Sequence, residues 1–314
     1  MPNIDADERQ AIINNGRVIW CAAGLMLIAV CIGFRAARLS FDLLSGMPEF
    51  LVLAACVAVA FYYRRYRPDP WISFGAETSA QLATILTLGM LLSYPLAAAA
   101  FPYRDAQLHS VDLWLGFNWR GYLHFMNDHP TIGMVGKFAY RSMRPQFLLV
   151  IGALVVTSRF IRLQQYIVAT TLALLITLLI FTFTPAVASY AFLQIAPSEY
   201  ANLTPSVPYE HIRHLQAMRT GADFLISESN LEGLITFPSF HTACGLLFIW
   251  ALFPVRRLRW WVVGLNAMLV LSTPIEGAHY FIDLIGGAVV TALAVCGAKL
   301  IAPAAVIQHC WYER

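Results

Sequence analysis

The sequence predicts an all-α membrane protein, a polytopic bundle of transmembrane helices with about eight spans. Hydrophobic residues make up 59% of the 314 residues and charged residues only 12%, with a mean hydropathy of +0.62. A soluble domain carries about 25% charged residues. The remaining charges are clustered, and the long apolar runs between them approach the length of about 20 residues that a helix needs to cross a bilayer. Helix is the expected form because backbone polar groups must be satisfied internally there.

Eight apolar runs are candidate spans, and three of them are short. These runs lie at about 17–35, 49–63, 78–100, 145–158, 165–190, 240–254, 259–275 and 280–301, the short ones being 49–63, 145–158 and 240–254. No internal repeat or low-complexity linker divides the chain, so we treat residues 1–314 as a single membrane domain. A net charge of +3 gives no reason to expect a nucleic-acid partner.

The arginines of short loops predict the orientation. Basic residues follow the second, fourth and sixth spans, and with eight spans these loops share one side with both termini. They are Arg64, Arg65, Arg67, Arg159, Arg162, Arg256, Arg257 and Arg259. Such loops are typically cytoplasmic. We therefore expect a multi-pass protein of a bacterial inner (plasma) membrane, with the longer segments 101–144 and 191–239 facing outward. Aromatic residues are dense in the first of these, which predicts a helix lying in the membrane interface.

The first stretch that could carry chemistry is Phe237-Pro238-Ser239-Phe240-His241-Thr242, at the start of the sixth span. Pro and Ser favour the beginning of a helix, and Ser239 can cap it. A helix N-terminus presents free N–H groups and the positive end of a dipole, which suit a phosphate. His241 would then lie in the first turn.

The second stretch is Gly277-Ala278-His279-Tyr280-Phe281-Ile282-Asp283, before the eighth span. His279 and Asp283 are four residues apart and would share one face of a helix. The carboxylate could then accept the Nδ1 proton of the imidazole, which leaves Nε2 free to act as a base or a nucleophile. The glycines Gly286 and Gly287 would permit close helix packing behind this pair.

The third stretch runs from Lys137 through Arg141 and Arg144 to Pro145, just before the fourth span. Its cations could hold a phosphate, or could be snorkelling flanks of the membrane, and the second interpretation is favoured for this stretch taken alone. On the eight-span hypothesis two spans separate it from His241, and two more separate His241 from His279. All three stretches then emerge on the same outward face.

These stretches together resemble the three motifs of the type 2 phosphatidic acid phosphatase superfamily, whose pattern is KxxxxxxRP, PSGH and SRxxxxxHxxxD. The matching segments here are Lys137-x6-Arg144-Pro145, Pro238-Ser239-Phe240-His241 and Ser272-x6-His279-x3-Asp283. The PSFH and HYFxD forms and an upstream Leu-Gly-Phe-Asn-Trp segment look more like the branch containing inositol phosphorylceramide synthases. The resemblance implies a six-helix phosphatase-like core at 78–301 with an external loop at 191–239, and accessory helices at 1–77.

The resemblance implies a metal-independent phosphoryl transfer with no cofactor. His279 would attack phosphorus and form a phosphohistidine, Asp283 would orient it, and His241 would protonate the leaving oxygen. Ser239, Lys137 and Arg144 would bind phosphate oxygens. The substrate would be a lipid phosphate or a phospholipid in the bilayer, with water or an alcohol as the acceptor.

The sequence departs from the family pattern in the third motif, where Thr273 replaces an arginine and Glu276 lies close by. We expect Arg219, or else Arg213, to supply the missing charge. A metal site at His211 and His214 is not expected from their i,i+3 spacing. Hydrolase and transferase remain open. The alternative is a catalytically silent protein that binds or transports lipid and retains the fold.

Overall fold

The computed structural model describes residues 6–206, 210–220, 225–227 and 231–303, and within the described part most of the chain is helical. The helices are α1 (Ala6–Ala36), α2 (Met47–Arg65), α3 (Pro70–Ala98), α4 (Asp105–Trp114), α5 (Trp119–Asp128), α6 (Pro130–Arg141), α7 (Met143–Val156), α8 (Phe160–Phe183), α9 (Ser189–Phe192), α10 (Glu210–Thr220), α11 (Phe240–Leu252), α12 (Arg259–Glu276) and α13 (Phe281–Ile301). A 3₁₀ helix covers Pro197–Tyr200, and two two-residue strands, β1 (Ser40–Phe41) and β2 (Leu225–Ile226), pair in parallel. The predicted all-α membrane bundle is confirmed.

Each of the eight predicted spans coincides with a helix, namely α1, α2, α3, α7, α8, α11, α12 and α13. Within the described residues, five of these are long and apolar enough to cross a membrane by themselves: α1, α2, α3, α8 and α13. Helices α7 and α11 are apolar but shorter, with 14 and 13 residues. At 1.5 Å per residue they cover about 20 Å of a hydrocarbon core about 30 Å thick.

Several predicted boundaries differ from the ends of the helices. Helix α1 begins at Ala6, eleven residues before the predicted start. Helix α8 was expected to continue to residue 190 but ends at Phe183. Pro185 follows closely, and the residue before a proline is disfavoured in helical conformation. Helix α3 begins at Pro70, eight residues before the predicted start, with the Asp69 side chain accepting a hydrogen bond from the Ile72 N–H. An aspartate cap followed by proline is a strong helix start, so the polar beginning of α3 is helical as well.

The hydrophobic core lies where α3, α7, α8, α11 and α13 meet. Tyr166 of α8 and Phe248 of α11 are fully buried at its centre, and Leu154 of α7 packs into the same cluster. These side chains are large and branched or aromatic. In a soluble protein, burying one such side chain away from water contributes about 1.5–3 kcal/mol to stability. The helices that carry the second and third motifs are therefore held against one another by direct packing.

The segment predicted as an interfacial helix forms three short helices, α4, α5 and α6, joined by tight turns. Helix α6 packs along the end of α12, where Gly136 lies so close to Ser272 that an added Cβ would be 2.9 Å from the serine Cβ. Helix α4 lies against the beginning of α13. The three helices thus collect at the end of the bundle where α11 and α13 begin.

Candidate active site

The start of α11 has the predicted form. Ser239 is the N-cap, and its Oγ accepts a hydrogen bond from the Thr242 N–H at 3.2 Å. The Ser239 N–H donates to the Asp283 carbonyl at 3.0 Å, which ties this cap to α13. His241 lies in the first turn, as predicted. The second and third motifs therefore meet through the backbone as well as through side chains.

His279 and Asp283 are in contact, although the reason differs from the prediction. The His279 Nδ1 lies 3.0 Å from the Asp283 Oδ2, but α13 begins only at Phe281, so the two residues do not share a helical face. Instead the same carboxylate oxygen accepts the Tyr280 N–H at 2.9 Å, and the chain turns back on itself before the helix. Asp283 thus caps the helix and holds the imidazole with one oxygen.

Backbone geometry makes the turn at His279 tight. Ala278 adopts a positive φ of 57°, a conformation that few non-glycine residues adopt without support. A Cβ at Gly277 would lie 2.6 Å from the Tyr140 Oη and 2.8 Å from the His279 Cδ2. Only glycine leaves room there for the tyrosine to approach residues 277–280, which we call the nucleophile loop after the role that is proposed for His279 below.

Burial favours the neutral form of the His279 imidazole. Only 3% of the residue is exposed, and burial lowers the pKa of His279 below the ordinary value, although the Thr236 backbone carbonyl acts in the opposite direction. Assigning the Nδ1 proton to the bond with Asp283 leaves Nε2 unprotonated. Nε2 lies 3.5 Å from the Ser239 Oγ. A lone pair is therefore available beside the cap of α11.

His241 stacks on the ring of Tyr140 of α6. The ring centroids are 4.3 Å apart with an interplanar angle of 10°, and the His241 Nδ1 is 3.5 Å from the Tyr140 Oη. The tyrosine therefore fixes the plane of the second histidine. Tyr140 was not singled out from the sequence, although it lies between Lys137 and Arg144 in the first motif.

A cavity of about 800 Å³ joins these groups. Its polar end is lined by His241, His279 and Arg144, with Tyr140 and Arg141 beside them. The structure thus brings residues of all three motifs to one cavity. Ser239 is not itself among the lining residues and reaches the site through its contact with His279.

The rest of the cavity is an apolar trough between α3 and α7. The residues of α3 that line the trough recur every three or four positions from Ser79 to Ser93, so they lie on one face of the helix. This face is about 21 Å long. The other apolar side chains that line the cavity are Leu82, Ala83, Leu86 and Met90 on α3, Met143, Phe147, Leu148 and Ile151 on α7, Leu174 on α8, and Leu231, Leu234, Ile235 and Phe240 at and before the start of α11. Glu232 of this last segment lines the cavity as well. Leu148 is 67% exposed on the outer surface of α7, so the trough reaches the surface that faces lipid.

The predicted phosphate-binding cations occupy different environments. Arg144 is exposed, lines the cavity, and within the described ranges forms no hydrogen bond or ion pair. Lys137 points elsewhere, because its Nζ donates to the Thr204 carbonyl at 2.6 Å and to the Thr204 Oγ1 at 2.5 Å. Arg219 donates to the Phe101 carbonyl and lies over the Tyr103 ring at 3.6 Å. Neither Lys137 nor Arg219 lines the cavity.

Thr273, which stands where the family pattern has an arginine, lies inside the protein. Thr273 is fully buried and its Oγ1 donates to the Leu269 carbonyl at 2.8 Å. Glu276 accepts hydrogen bonds from the Ser206 N–H at 3.0 Å and the Ser206 Oγ at 2.7 Å, so its charge is directed to that segment. The side chain of Arg213, like that of His211, lies outside the described residues.

Sequence comparison identifies the family of the chain. The sequence model of the PAP2 superfamily matches residues 106–297, a stretch that contains all three motifs. The chain belongs to the PAP2 superfamily. No curated protein and no solved structure gives a significant match. Membership supports a phosphatase-like function in general, in a protein that crosses the membrane several times.

Proposed function

We propose that this protein is a membrane phosphatase or phosphotransferase that acts on lipid phosphates or phosphodiesters through a phosphohistidine at His279. The observation that carries the proposal is the single cavity in which His241, His279 and Arg144 share one end of an apolar trough. Catalysis needs a nucleophile, an acid and a cation around one phosphorus atom, and these three side chains have the corresponding chemistry.

In the first step, the Nε2 lone pair of His279 forms a bond to phosphorus and the bond from phosphorus to the lipid oxygen breaks. The ring becomes positively charged as this bond forms. Asp283, bonded to Nδ1 at 3.0 Å, offsets that charge and keeps the ring in the reactive orientation. The role of Asp283 is the one that a carboxylate has in other histidine-based sites.

His241 gives its proton to the departing oxygen, and in the second step it takes a proton from the acceptor. Water or a lipid or polyol alcohol attacks phosphorus, the bond from phosphorus to nitrogen breaks, and its electron pair returns to Nε2. Stacking on Tyr140 supports this role, because it holds the imidazole in one plane. Arg144 would bind the phosphate oxygens, and the α11 N-terminus capped by Ser239 would add N–H groups and its dipole.

The apolar trough supports a lipid as the substrate. A hydrocarbon chain lying between α3 and α7 would leave its phosphate at Arg144, where the trough meets the two histidines. Motif forms similar to those of inositol phosphorylceramide synthases favour transfer to an alcohol. The positions of the basic loops favour an outward-facing site with both termini in the cytoplasm.

The decisive experiment measures phosphate release from a panel of lipid phosphates by the purified wild type and His279→Ala. The wild type is expected to release phosphate from at least one of them and His279→Ala from none. His124→Ala is the matched control, because His124 is an exposed histidine paired with Glu199 at 3.5 Å, and it should retain wild-type activity. Phosphate release by His279→Ala at the wild-type rate would overturn the proposal.

Trapping the phosphohistidine distinguishes the proposed enzyme from the catalytically silent alternative. Thr273 in place of arginine favours it, since the family's third-motif cation is absent. A short incubation with ³²P-labelled lipid phosphate should label the wild type with an alkali-stable phosphohistidine and leave His279→Ala unlabelled. A protein that binds the lipid but never becomes labelled would be a carrier. Chromatography of products with and without an added alcohol distinguishes transferase from hydrolase.

A further inference from the structure

The backbone of the nucleophile loop is held by residues outside the three motifs. The Trp119 Nε1–H, at the start of α5, donates to the His279 carbonyl at 3.0 Å, and Trp119 is only 1% exposed. On the other side, the Ser189 N–H donates to the Ala278 carbonyl at 3.1 Å. Both carbonyls that flank the imidazole are therefore fixed by buried donors from distant parts of the chain.

Asp112 of α4 caps the beginning of α13. Its Oδ2 accepts the Phe281 N–H and its Oδ1 accepts the Ile282 N–H, each at 2.8 Å. The first N–H groups of a helix have no partner within it, and burying them unsatisfied is costly. Asp112 is completely buried, and nothing about the family motifs requires it. Burial raises the pKa of Asp112, whereas the two N–H groups and His109 lower it.

Asp105 lies two helical turns before Asp112 on α4 and is also a hydrogen-bond acceptor for this region. It accepts the Tyr280 hydroxyl at 2.8 Å and the Val187 and Ala188 N–H groups at 3.0 Å each. Residues seven apart lie on one face of a helix, so α4 presents two carboxylates to the nucleophile loop and to the segment after α8. Neither Asp105 nor Asp112 lines the cavity, so both carboxylates hold this region from outside it.

We infer that Asp112 and Trp119 are positioning residues for the nucleophile, an inference that rests on the proposed role of His279. Asp112 fixes residues 281 and 282, and the next residue, Asp283, holds the imidazole. A shift of the first turn of α13 would move Asp283 and His279 together, away from Arg144 and His241. A misplacement of about 1 Å can cost about a hundredfold in rate.

The test compares Asp112→Asn with Asp128→Asn, an exposed aspartate at the end of α5. An amide keeps the size of the side chain but can accept at only one of its two terminal atoms. Asp112→Asn is expected to lower kcat by about 10- to 100-fold, because the reactive geometry at His279 is disturbed. The KM should stay within about threefold of the wild-type value, because the cavity that binds the substrate is unchanged. Asp128→Asn should keep both constants.

Trp119→Phe provides the second measurement, since it removes the single N–H to the His279 carbonyl and keeps an aromatic ring. We expect a several-fold loss of kcat, with slower labelling of His279 in a single turnover and unchanged KM. A folded Asp112→Asn variant with wild-type kcat would overturn the inference. Should that variant fail to accumulate, wild-type kcat in Trp119→Phe would overturn it instead.

Failure of the proposed function would look different. In that case the wild type would not become labelled at His279, and His279→Ala would release as much phosphate as the wild type, whether that amount is zero or not. Labelling of the wild type together with an unimpaired rate in Asp112→Asn would leave the proposed function intact and remove only the positioning role.

Discussion

The two sides of the candidate site are built differently. On one side the nucleophile loop is fixed by buried hydrogen bonds from Trp119, Ser189 and Asp283, and its helix is capped by Asp112. On the other side Arg144 is exposed and makes no protein hydrogen bond or ion pair within the described ranges. One side is set before any ligand arrives, whereas the other is free to adjust to it.

Under the proposed mechanism, this difference gives separate tasks to the two sides. A rigid nucleophile needs no reorganisation during the reaction, which is where preorganised groups contribute most. A long, exposed guanidinium can follow a phosphate through several positions along the reaction and can serve more than one headgroup. We expect changes on the nucleophile side to alter kcat and changes on the cation side to alter kcat/KM and headgroup preference.

The largest expected effect comes from Asp283→Asn. The amide keeps the shape but carries no charge to balance the positive ring, and its NH₂ group can turn toward Nδ1 and favour the wrong tautomer. The corresponding change in a serine protease lowers kcat by about 10⁴-fold. The measurement is the rate of phosphohistidine formation in a single turnover. A loss below tenfold would show that the fixed side does not depend on this carboxylate, and the comparison between the two sides would break down.

Next in size is the contrast between Arg144→Ala and Lys137→Ala. Removing one charged donor to a developing anion costs about 10²- to 10³-fold. We expect that loss in kcat/KM for Arg144→Ala, which lines the cavity, and a change within about threefold for Lys137→Ala, whose ammonium binds Thr204.

Steady-state kinetics on both variants with the preferred lipid phosphate decide this point. Equal losses would mean that Lys137 also reaches the phosphate, and the cation side would then have two members. A wild-type kcat/KM in the Arg144→Ala variant would show that the site has no adjustable cation at this position.

A smaller effect, on stability, is expected from Gly287→Ala. An added Cβ would lie 2.5 Å from the Ser239 carbonyl oxygen and 2.9 Å from the Thr242 Cβ, so α13 would have to move away from α11. Overpacking of this kind costs about 1–3 kcal/mol. Thermal unfolding in detergent should show a lower midpoint than for Gly264→Ala, where an added Cβ meets nothing within 4 Å. Equal midpoints would contradict the close approach.

The smallest effect concerns pH. Burial lowers the pKa of His279, so the imidazole stays neutral when the pH falls from 8 to 6.5, and protonation blocks attack only below that range. With a phosphodiester substrate, whose phosphate does not titrate there, the acid limb of kcat/KM should fall below the ordinary imidazole pKa of about 6.5. An acid limb above pH 7 would place His279 in a more exposed setting than the structure shows.

Local patterns in the sequence were sufficient to predict the spanning helices and the start of α11. Apolar runs predicted the positions of the spanning helices, and Pro238-Ser239 predicted the cap and the first turn that carries His241. The close packing expected at Gly286 and Gly287 is present, with Pro238 and Ser239 against them. The helix positions and the cap depend on residues that are neighbours in the chain, which is why pattern alone predicts them. The two glycines of α13 indicate a close approach, but the partner in that approach comes from the packing of α11 against α13.

Long-range features could not be predicted in this way. Lys137 and Arg144 share one motif, yet the start of α7 directs Arg144 to the cavity while α6 directs Lys137 to Thr204. Asp112 contacts Phe281 across 169 positions of sequence. Nothing local marks such partners, because the direction of a side chain and the identity of its neighbours follow from how helices pack.

The opening of the trough at Leu148 has a consequence for how activity would have to be expressed. A substrate that enters sideways from the bilayer is met by diffusion in two dimensions. Its effective concentration is then its mole fraction among the surrounding lipids or detergent molecules, whatever the volume of the aqueous phase. Adding inert detergent at a fixed amount of substrate should therefore slow the reaction by surface dilution, although nothing in the site itself has changed.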